Sequence, residues 1–379
     1  MLAWASSLHL LVLALYQIAI LFSLGFNRSG DIYYAAVAIP GFLNALIYSA
    51  LTFSILPNIA RQNGGRDAKL AASLVPTLTV VILLFYLLFW GLNKILVSVI
   101  FPGFSSEATE LYLATSSVTF GSGAFVAIGM VATMVAQSRT LFTQIEFMNL
   151  VLLVFFLSVI LLSSDEASPL QIAYIDIFRT FVLACGLILA IRIPLKDIRI
   201  DFSLLLGSSR GAGALLTGNV LLKASSVLDR SLATFGTSGE LTLMHVVQQL
   251  YLGINKLFSK IRIIPSLATG RFSGDIASQK RYYKRTAKFI LYFAFGCYAA
   301  LIGSSVLLVE ASSATDLFDD FKPELLLYFV LAAAGLFLGG ILGQVAASYF
   351  YSAGDTKTPM QVSIVNALIA IIARFIGAS

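Results

Sequence analysis

The sequence predicts an all-α polytopic membrane protein with about eleven transmembrane helices, arranged as two parallel-repeat bundles around a central cavity. The first observation behind this class is composition: 58% of the 379 residues are hydrophobic, only 12% are charged, and the mean hydropathy is +0.90. A soluble domain carries about 25% charged residues, so the whole chain, rather than one anchor, is suited to lipid. The other two observations are an alternation of charge between successive loops and a motif that recurs in the second half.

The apolar segments locate the predicted spans. A transmembrane helix needs about 20 predominantly apolar residues, and about eleven segments reach that length. These segments run over 2–24, 32–60, 70–100, 108–136, 144–163, 169–191, 205–234, 240–268, 287–309, 325–352 and 359–377. Their number matters for topology, because one missed or extra span would move every later loop to the wrong side of the membrane.

Lysine and arginine residues are concentrated in every second loop. Cations follow the even-numbered spans at Arg61, Arg66, Lys69, Arg139, Arg192, Lys196, Arg199, six positions between 271 and 288, and Lys357. The other loops are acidic or poor in cations, so the positive-inside rule predicts that the N-terminus and the even-numbered loops are cytoplasmic. The six cations between 271 and 288 have two interpretations: a topology determinant, which we favour, or a site for lipid headgroups or a partner.

A short motif recurs about 210 residues apart. Phe26–Ile32 reads FNRSGDI and Phe235–Leu241 reads FGTSGEL, so phenylalanine, Ser-Gly, an acid and an aliphatic residue are in register. The span that follows each motif closes with a proline, at Pro57 and at Pro265, at a nearly equal distance from the acid. Several matches in one register indicate two homologous halves.

The repeat divides the chain into an N-terminal six-helix bundle, 1–192, and a C-terminal bundle, 200–379. The C-terminal bundle has five predicted helices and lacks a sixth in this sequence. Both halves begin on the same side of the membrane, so the repeats are parallel. This arrangement is typical of transporters in which the substrate passes between two bundles.

Polar side chains inside spans are costly in hydrocarbon and commonly face a cavity. Four polar residues of the eighth span are spaced by 4, 7 and 4 positions, which places them within about 60° of one another on a helix. A second stripe lies on the seventh span. The candidate substrate-binding residues are Asn219, Lys223, Arg230, His245, Gln249, Lys256 and Lys260. The basic residues among them would give one side of the cavity a positive charge, which favours binding of an anionic diphosphate. For Lys260 the alternative is that its side chain extends to the membrane interface.

The remaining charged residues point to transport rather than catalysis. Asp229, next to Arg230, is a candidate ligand for a coupling cation, and Asp176 with Arg179 is predicted to form a neutralising pair of structural role. The sequence has no metalloprotease motif, no P-loop and no Cys or His pair at metal spacing. We therefore expect no enzyme activity, no catalytic residue, no metal site and no cofactor. The net charge of +6 is explained by cytoplasmic loops, so no nucleic-acid partner is expected.

Four segments resemble the lipid II flippase (MurJ/MviN) family, within the multidrug/oligosaccharidyl-lipid/polysaccharide exporter group. They are Gly30–Gln62, Phe101–Phe104, Val227–His245 and Tyr349–Gln361, the last reading YFYSAGDTKTPMQ. The resemblance implies a V-shaped pair of helical bundles in the bacterial inner (cytoplasmic) membrane. It implies movement of an undecaprenyl-pyrophosphate-linked sugar between leaflets, for peptidoglycan or polysaccharide biosynthesis of the cell wall. The implied partners are the lipid-linked glycan, membrane lipids and a coupling cation.

The sequence differs from the lipid II flippase family at the positions where that family has arginines lining its cavity. The first span has no arginine or lysine, the second has Asn44 and Ala45, and the eighth has Gln248 and Gln249. The passenger is therefore either lipid II or a polysaccharide repeat unit. Two further hypotheses stay open: a cation-coupled multidrug antiporter of a related fold, which requires buried carboxylates, and an inactive, truncated member of the family.

Overall fold

A computed structural model describes most of the chain. The described residues are 2–51, 68–138, 141–162, 167–192, 195–202, 220, 224, 227–260, 276–314 and 323–333, with single residues and short stretches between 339 and 372. The chain forms two compact units, Met1–Ser238 with Ala367–Ser379, and Gly239–Asn366. The division into homologous halves at 192/200 stays a prediction, because Pro57 and Pro265, which support it, lie outside the described residues.

The first unit contains eight described α-helices. They are α1 (Leu2–Leu24), α2 (Arg28–Ala36), α3 (Ala38–Ala50), α4 (Ala68–Gly91), α5 (Asn93–Ile100), α6 (Ser106–Ser138), α7 (Phe142–Leu162) and α8 (Pro169–Ile191). A 3₁₀ turn, Leu195–Asp197, and a short helical segment at 227–233 follow. The second unit contains α9 (Glu240–Lys260), α10 (Ile276–Ala314) and α11 (Pro323–Ala332).

The all-α polytopic membrane class is confirmed. The part of the chain that the structure describes contains no strand, and six of its helices are long and apolar enough to cross a membrane. These are Arg28–Ser49, which comprises α2 and most of α3, and Ala71–Gly91, Ser106–Ala136, Thr143–Leu162, Pro169–Ile191 and Tyr283–Leu307. Leu11–Leu24 is a shorter apolar helix. Helices α1 and α8 have the bounds of the predicted spans. The predicted spans 205–234 and 359–377 lie largely outside the described residues.

Helix α6 packs against α2, α3, α4 and α8 at the centre of the first unit. Glycines on α6 allow this close packing. A Cβ on Gly123 would lie 2.8 Å from both Pro40 Cβ and Tyr86 Cε1, and one on Gly121 would lie 2.7 Å from Ile177 Cδ1. Small residues at helix contacts let backbones approach in a membrane, where lipid and side chains are equally apolar.

Two prolines leave helix carbonyls without their usual donor, and other segments supply one. Pro40 has no N–H for the carbonyl of Ala36, which instead accepts a 2.8 Å hydrogen bond from Thr119 Oγ1 of α6. Pro76 leaves the carbonyl of Ala72 free in the same way, and the backbone N–H of Arg199 donates to it at 3.3 Å. Each proline therefore leaves a backbone carbonyl that accepts a hydrogen bond from another segment, from α6 in the first case and from the segment after α8 in the second.

Loops and helix ends that are predicted on one side of the membrane lie together in the first unit. Arg28, after the first span, donates to Ser105, after the third. Near Ser105, a Cβ on Gly103 would collide with the carbonyl of Thr234, the last residue of the predicted seventh span. The contact of Arg199 with α4 joins two ends predicted on the opposite side. These contacts agree with the alternation of sides; which side is cytoplasmic stays a prediction.

In the second unit, α11 packs against both α9 and α10. The hydroxyl of Tyr298 on α10 lies 3.2 Å from the carbonyl of Val330 and 3.1 Å from that of Leu331. Both carbonyls belong to the last turn of α11, where no intrahelical donor is available. The tyrosine thus caps α11 and joins it to α10.

Candidate functional site

Helix α9 carries four of the seven predicted substrate-binding residues. It begins at Glu240, after Gly239 with a φ of 92°, and it continues without a break to Lys260. The acidic first residue is favourable at a helix N-terminus, where the helix dipole is positive. His245, Gln249, Lys256 and Lys260 therefore share one continuous helix, as their spacing predicts. The side chains of Lys256 and Lys260 lie outside the described residues.

The first two turns of α9 are mostly buried. Leu241, Leu243 and Val247 are 1%, 2% and 4% exposed, and His245 is 5% exposed. These positions point in different directions around the helix, while Glu240, Met244 and Val246 between them are half-buried. His245 is thus part of a packed region, while Gln249, one turn further on, is half-buried. Their role in binding stays a prediction.

The second predicted stripe is described only in part. Asn219 and Lys223 lie outside the described residues, whereas Asp229 and Arg230 lie in the helical segment at 227–233. Nη1 of Arg230 donates a long, 3.4 Å hydrogen bond to the carbonyl of Tyr34 on α2. This contact ties the segment to the first-half bundle, a connection that the helical spacing alone does not indicate.

A polar cluster, formed by Tyr16, Ser122, Asp176, Arg179 and Thr180, lies inside the first unit. Nε and Nη2 of Arg179 donate to Oδ1 of Asp176 at 3.0 and 2.6 Å. Ser122 Oγ donates to the other carboxylate oxygen at 2.7 Å, and Thr180 Oγ1 donates to Ser122 Oγ at 3.3 Å. The guanidinium carbon of Arg179 lies 5.1 Å from the ring centroid of Tyr16. The cluster therefore joins α1, α6 and α8.

The predicted ion pair between Asp176 and Arg179 is confirmed. Their side chains are 16% and 19% exposed, and both carboxylate oxygens have a donor. Two opposite charges held this way lower the cost of keeping either one in the bundle. The sequence spacing predicts the pair, but not Tyr16 and Ser122, which come from distant helices. Their hydroxyl groups near the middle of apolar spans are the only sequence signal for them.

A second contact between polar side chains was not expected from the sequence. Nδ1 of His9 on α1 lies 2.7 Å from Oε2 of Glu146 on α7, and both side chains are about one fifth exposed. His9 is the only histidine of α1, and Glu146 is the only acidic residue of α7. Their positions near the predicted cytoplasmic ends of parallel spans are the signal that could have paired them.

No protein-family model and no curated protein matches the chain. Solved structures do match. The structure of the lipid II flippase MurJ in an inward closed conformation has a TM-score of 0.71 at 17% identity, covering 97% of this chain and 79% of that chain. An inward-facing multidrug resistance MATE family transporter of the MOP superfamily has a TM-score of 0.69 at 14% identity, covering 94% and 84%. The chain has the fold of the MOP-superfamily transporters.

A third structure with this MOP fold is that of the MATE multidrug transporter DinF-BH in complex with a ligand. Its TM-score is 0.61 at 14% identity, over 96% of this chain and 84% of that chain. At these identities the likeness concerns the fold. The resemblance found in the sequence is thus confirmed for the fold, together with the multi-pass membrane architecture, while membership of the lipid II flippase family stays a prediction.

Proposed function

We propose that the protein is a transporter that moves a polyprenyl-pyrophosphate-linked glycan precursor across the bacterial inner membrane by alternating access. Its MOP fold supports transport, since both flippases and multidrug transporters share that fold. The choice of an anionic substrate rests on where the acidic and basic side chains lie among the helices. Asp176 and Glu146 bind basic side chains within the first unit, whereas α9 carries Lys256 and Lys260 with Glu240 as its only acid, about four turns from Lys256.

An anionic passenger is the natural partner for such lysines. A charged lysine in the middle of a membrane costs about 2.5–3.5 kcal/mol, and a bound diphosphate offsets that cost. Lipid II and polysaccharide repeat units both carry a diphosphate, so the lysines would bind either of them. In this proposal Lys223 and Lys256 bind the diphosphate and Lys260 stands at the cytoplasmic entrance. Asn219, Arg230, His245 and Gln249 complete the site, with Asp229 as a ligand for the coupling cation.

The experiment is a flipping assay with the protein in proteoliposomes and a fluorescent polyprenyl-diphosphate sugar. Lys223→Ala and Lys256→Ala should abolish translocation while membrane insertion stays normal. Lys256→Arg should retain part of the activity, because charge matters more than shape for a mobile diphosphate. Lys94→Ala is the matched control, since Lys94 is exposed on α5. Wild-type rates in both alanine variants would exclude the lysines as the site.

The second candidate is a cation-coupled multidrug antiporter. The observation in its favour is the MATE fold match, which includes a ligand-bound multidrug transporter. This function needs a carboxylate that exchanges its partner for a cation, and Asp176, 16% exposed, is the candidate. Export of a cationic dye that disappears in Asp176→Asn, with no flipping of the diphosphate lipid, would favour the antiporter. A protein that performs neither reaction would support the inactive family member.

A further inference from the structure

Helix α10 is longer than a membrane is thick. It has 39 residues, Ile276–Ala314, which at 1.5 Å per residue is about 58 Å, against about 30 Å for the hydrocarbon core. Its apolar span begins at Tyr283, so the preceding two turns extend toward water. Five of the six cations in the 271–288 stretch lie on this first part of the helix: Lys280, Arg281, Lys284, Arg285 and Lys288.

The cations described with their side chains lie on the side of α10 that faces away from the protein. Ile290 marks the packed side and is 1% exposed. Lys284, Arg285 and Lys288 are exposed and are rotated by about 120–220° from Ile290 around the helix. They therefore lie opposite the packed side, not in the interior of the unit.

Exposed aromatic residues lie on the same side of α10, deeper in the apolar span. Tyr292 and Phe295 are 65% and 50% exposed and are rotated by about 200° and 140° from Ile290. Large aromatic side chains that are exposed on an apolar span contact the surrounding lipid. The three cations stand one to three turns nearer the water, where the headgroups of the same lipids lie.

The charge of this surface is not balanced on its own helix. Between Ile276 and Val309 the sequence of α10 contains no acidic residue, and Glu310 is near the other end. Phosphate groups of lipids are the anions that are present at this depth around every transmembrane helix. Clusters of lysine and arginine next to a span attract anionic lipids, and lysine stems can lie along the apolar surface while the ammonium groups reach the phosphates.

We propose that Lys284, Arg285 and Lys288 form a docking surface for the headgroups of anionic phospholipids. The surface lies on α10 and not on α9, and it does not depend on what the protein transports. It also gives the basic stretch a role beyond setting the topology. The partner is a glycerophospholipid with net negative charge in the surrounding leaflet, bound by contacts between phosphate oxygens and the three cationic side chains.

A tryptophan reporter at Tyr292 tests the proposal at the surface itself. The chain has two tryptophans, so Trp4→Phe and Trp90→Phe remove the background and Tyr292→Trp supplies one local signal. The full-length protein is reconstituted in phosphatidylcholine vesicles that contain brominated phosphatidylglycerol or brominated phosphatidylcholine. Stronger quenching by the phosphatidylglycerol is expected, and this preference should weaken as salt screens the charges. Equal quenching by the two lipids, or a preference indifferent to salt, would overturn the proposal.

Substitutions in the same reporter background then assign the preference to the cations. Lys284→Gln, Arg285→Gln and Lys288→Gln should each lower the preference for phosphatidylglycerol by about fivefold. The charge-conserving variant Lys284→Arg/Arg285→Lys/Lys288→Arg should keep it, as should Lys94→Gln, which removes an exposed cation from α5. The triple variant Lys284→Gln/Arg285→Gln/Lys288→Gln should lose the preference altogether. If it keeps the wild-type preference, these side chains do not bind the headgroups. The single variants and the salt series decide the question if the triple variant does not insert.

Discussion

The two copies of the recurring motif start their helices at different positions, although the motifs are in register. In the first copy α2 begins at Arg28, because Asn27 accepts a 2.8 Å hydrogen bond from the N–H of Ser29 and so caps the helix. In the second copy the position of Asn27 is taken by Gly236, which has no capping side chain. There the helix begins at Glu240, in register with Asp31. One cap therefore shifts a helix start by three residues within the same motif.

The halves also differ in how their charges are neutralised. In the first half Asp176 forms an ion pair with Arg179, and Glu146 lies beside His9, inside the unit. In the second half α9 carries two lysines and begins with its only acid. The charged side chains of two regions that share a motif thus differ in role. Those of the first half hold helices together, and those of the second half, in our proposal, bind an anion.

The largest effect is expected from breaking an ion pair of the first half. Arg179→Ala leaves Asp176 partly buried without its cation and should lower the free energy of unfolding by about 3–5 kcal/mol. Denaturant unfolding in detergent measures this change. The double variant Asp176→Asn/Arg179→Ala should recover a large part of the loss, since it leaves no unpaired charge. An Arg179→Ala protein as stable as the wild type would contradict the structural role of the pair.

The next effect concerns the glycine that both motifs contain. Gly239 has a φ of 92°, a conformation in which a Cβ is strained, so Gly239→Ala should cost about 1–2 kcal/mol of unfolding free energy. Gly30, its counterpart, lies inside α2, so Gly30→Ala carries no such backbone strain and should cost less. Unfolding of the two variants side by side makes the comparison. Equal losses would mean that packing, not φ, determines the cost.

The cap itself should have a smaller effect. Asn27→Ala removes the acceptor for the Ser29 N–H and should destabilise the protein by about 1 kcal/mol. Hydrogen exchange should become faster at Ser29 and at neighbouring amides of the first turn. Gly236→Ala is the matched control, because that position supplies no side-chain cap and its replacement leaves exchange at the start of α9 unchanged. Similar hydrogen exchange in Asn27→Ala and in the wild type would mean that the Asn27 cap does not determine where α2 begins.

The smallest effect comes from transferring the cap. Gly236→Asn introduces the capping residue of the first motif into the second and should stabilise a longer α9 by a few tenths of a kcal/mol. Slower hydrogen exchange at Thr237 and Ser238 would report the added turn. Unchanged exchange would mean that the φ of Gly239, rather than the missing cap, determines where α9 begins.

Local features of the sequence were enough to predict the class, the bounds of several spans and the Asp176–Arg179 pair. A span needs only a run of apolar residues, and the pair needs only a spacing of three on one helix, so neither depends on distant parts of the chain. The bounds of α1 and α8 are the clearest cases.

The tertiary structure alone decided which distant groups meet. The hydroxyl of Ser122 reaches Asp176 across 54 residues, and His9 reaches Glu146 across 137. Thr119 and Arg199 supply the hydrogen bonds that Pro40 and Pro76 cannot donate. Most buried polar groups in proteins have a partner, but the pattern of one helix does not specify which helix provides it. For Ser122 and Thr119 that choice follows from the packing of neighbouring helices against α6, where glycines allow close approach. For His9 it follows from the packing of α1 against α7.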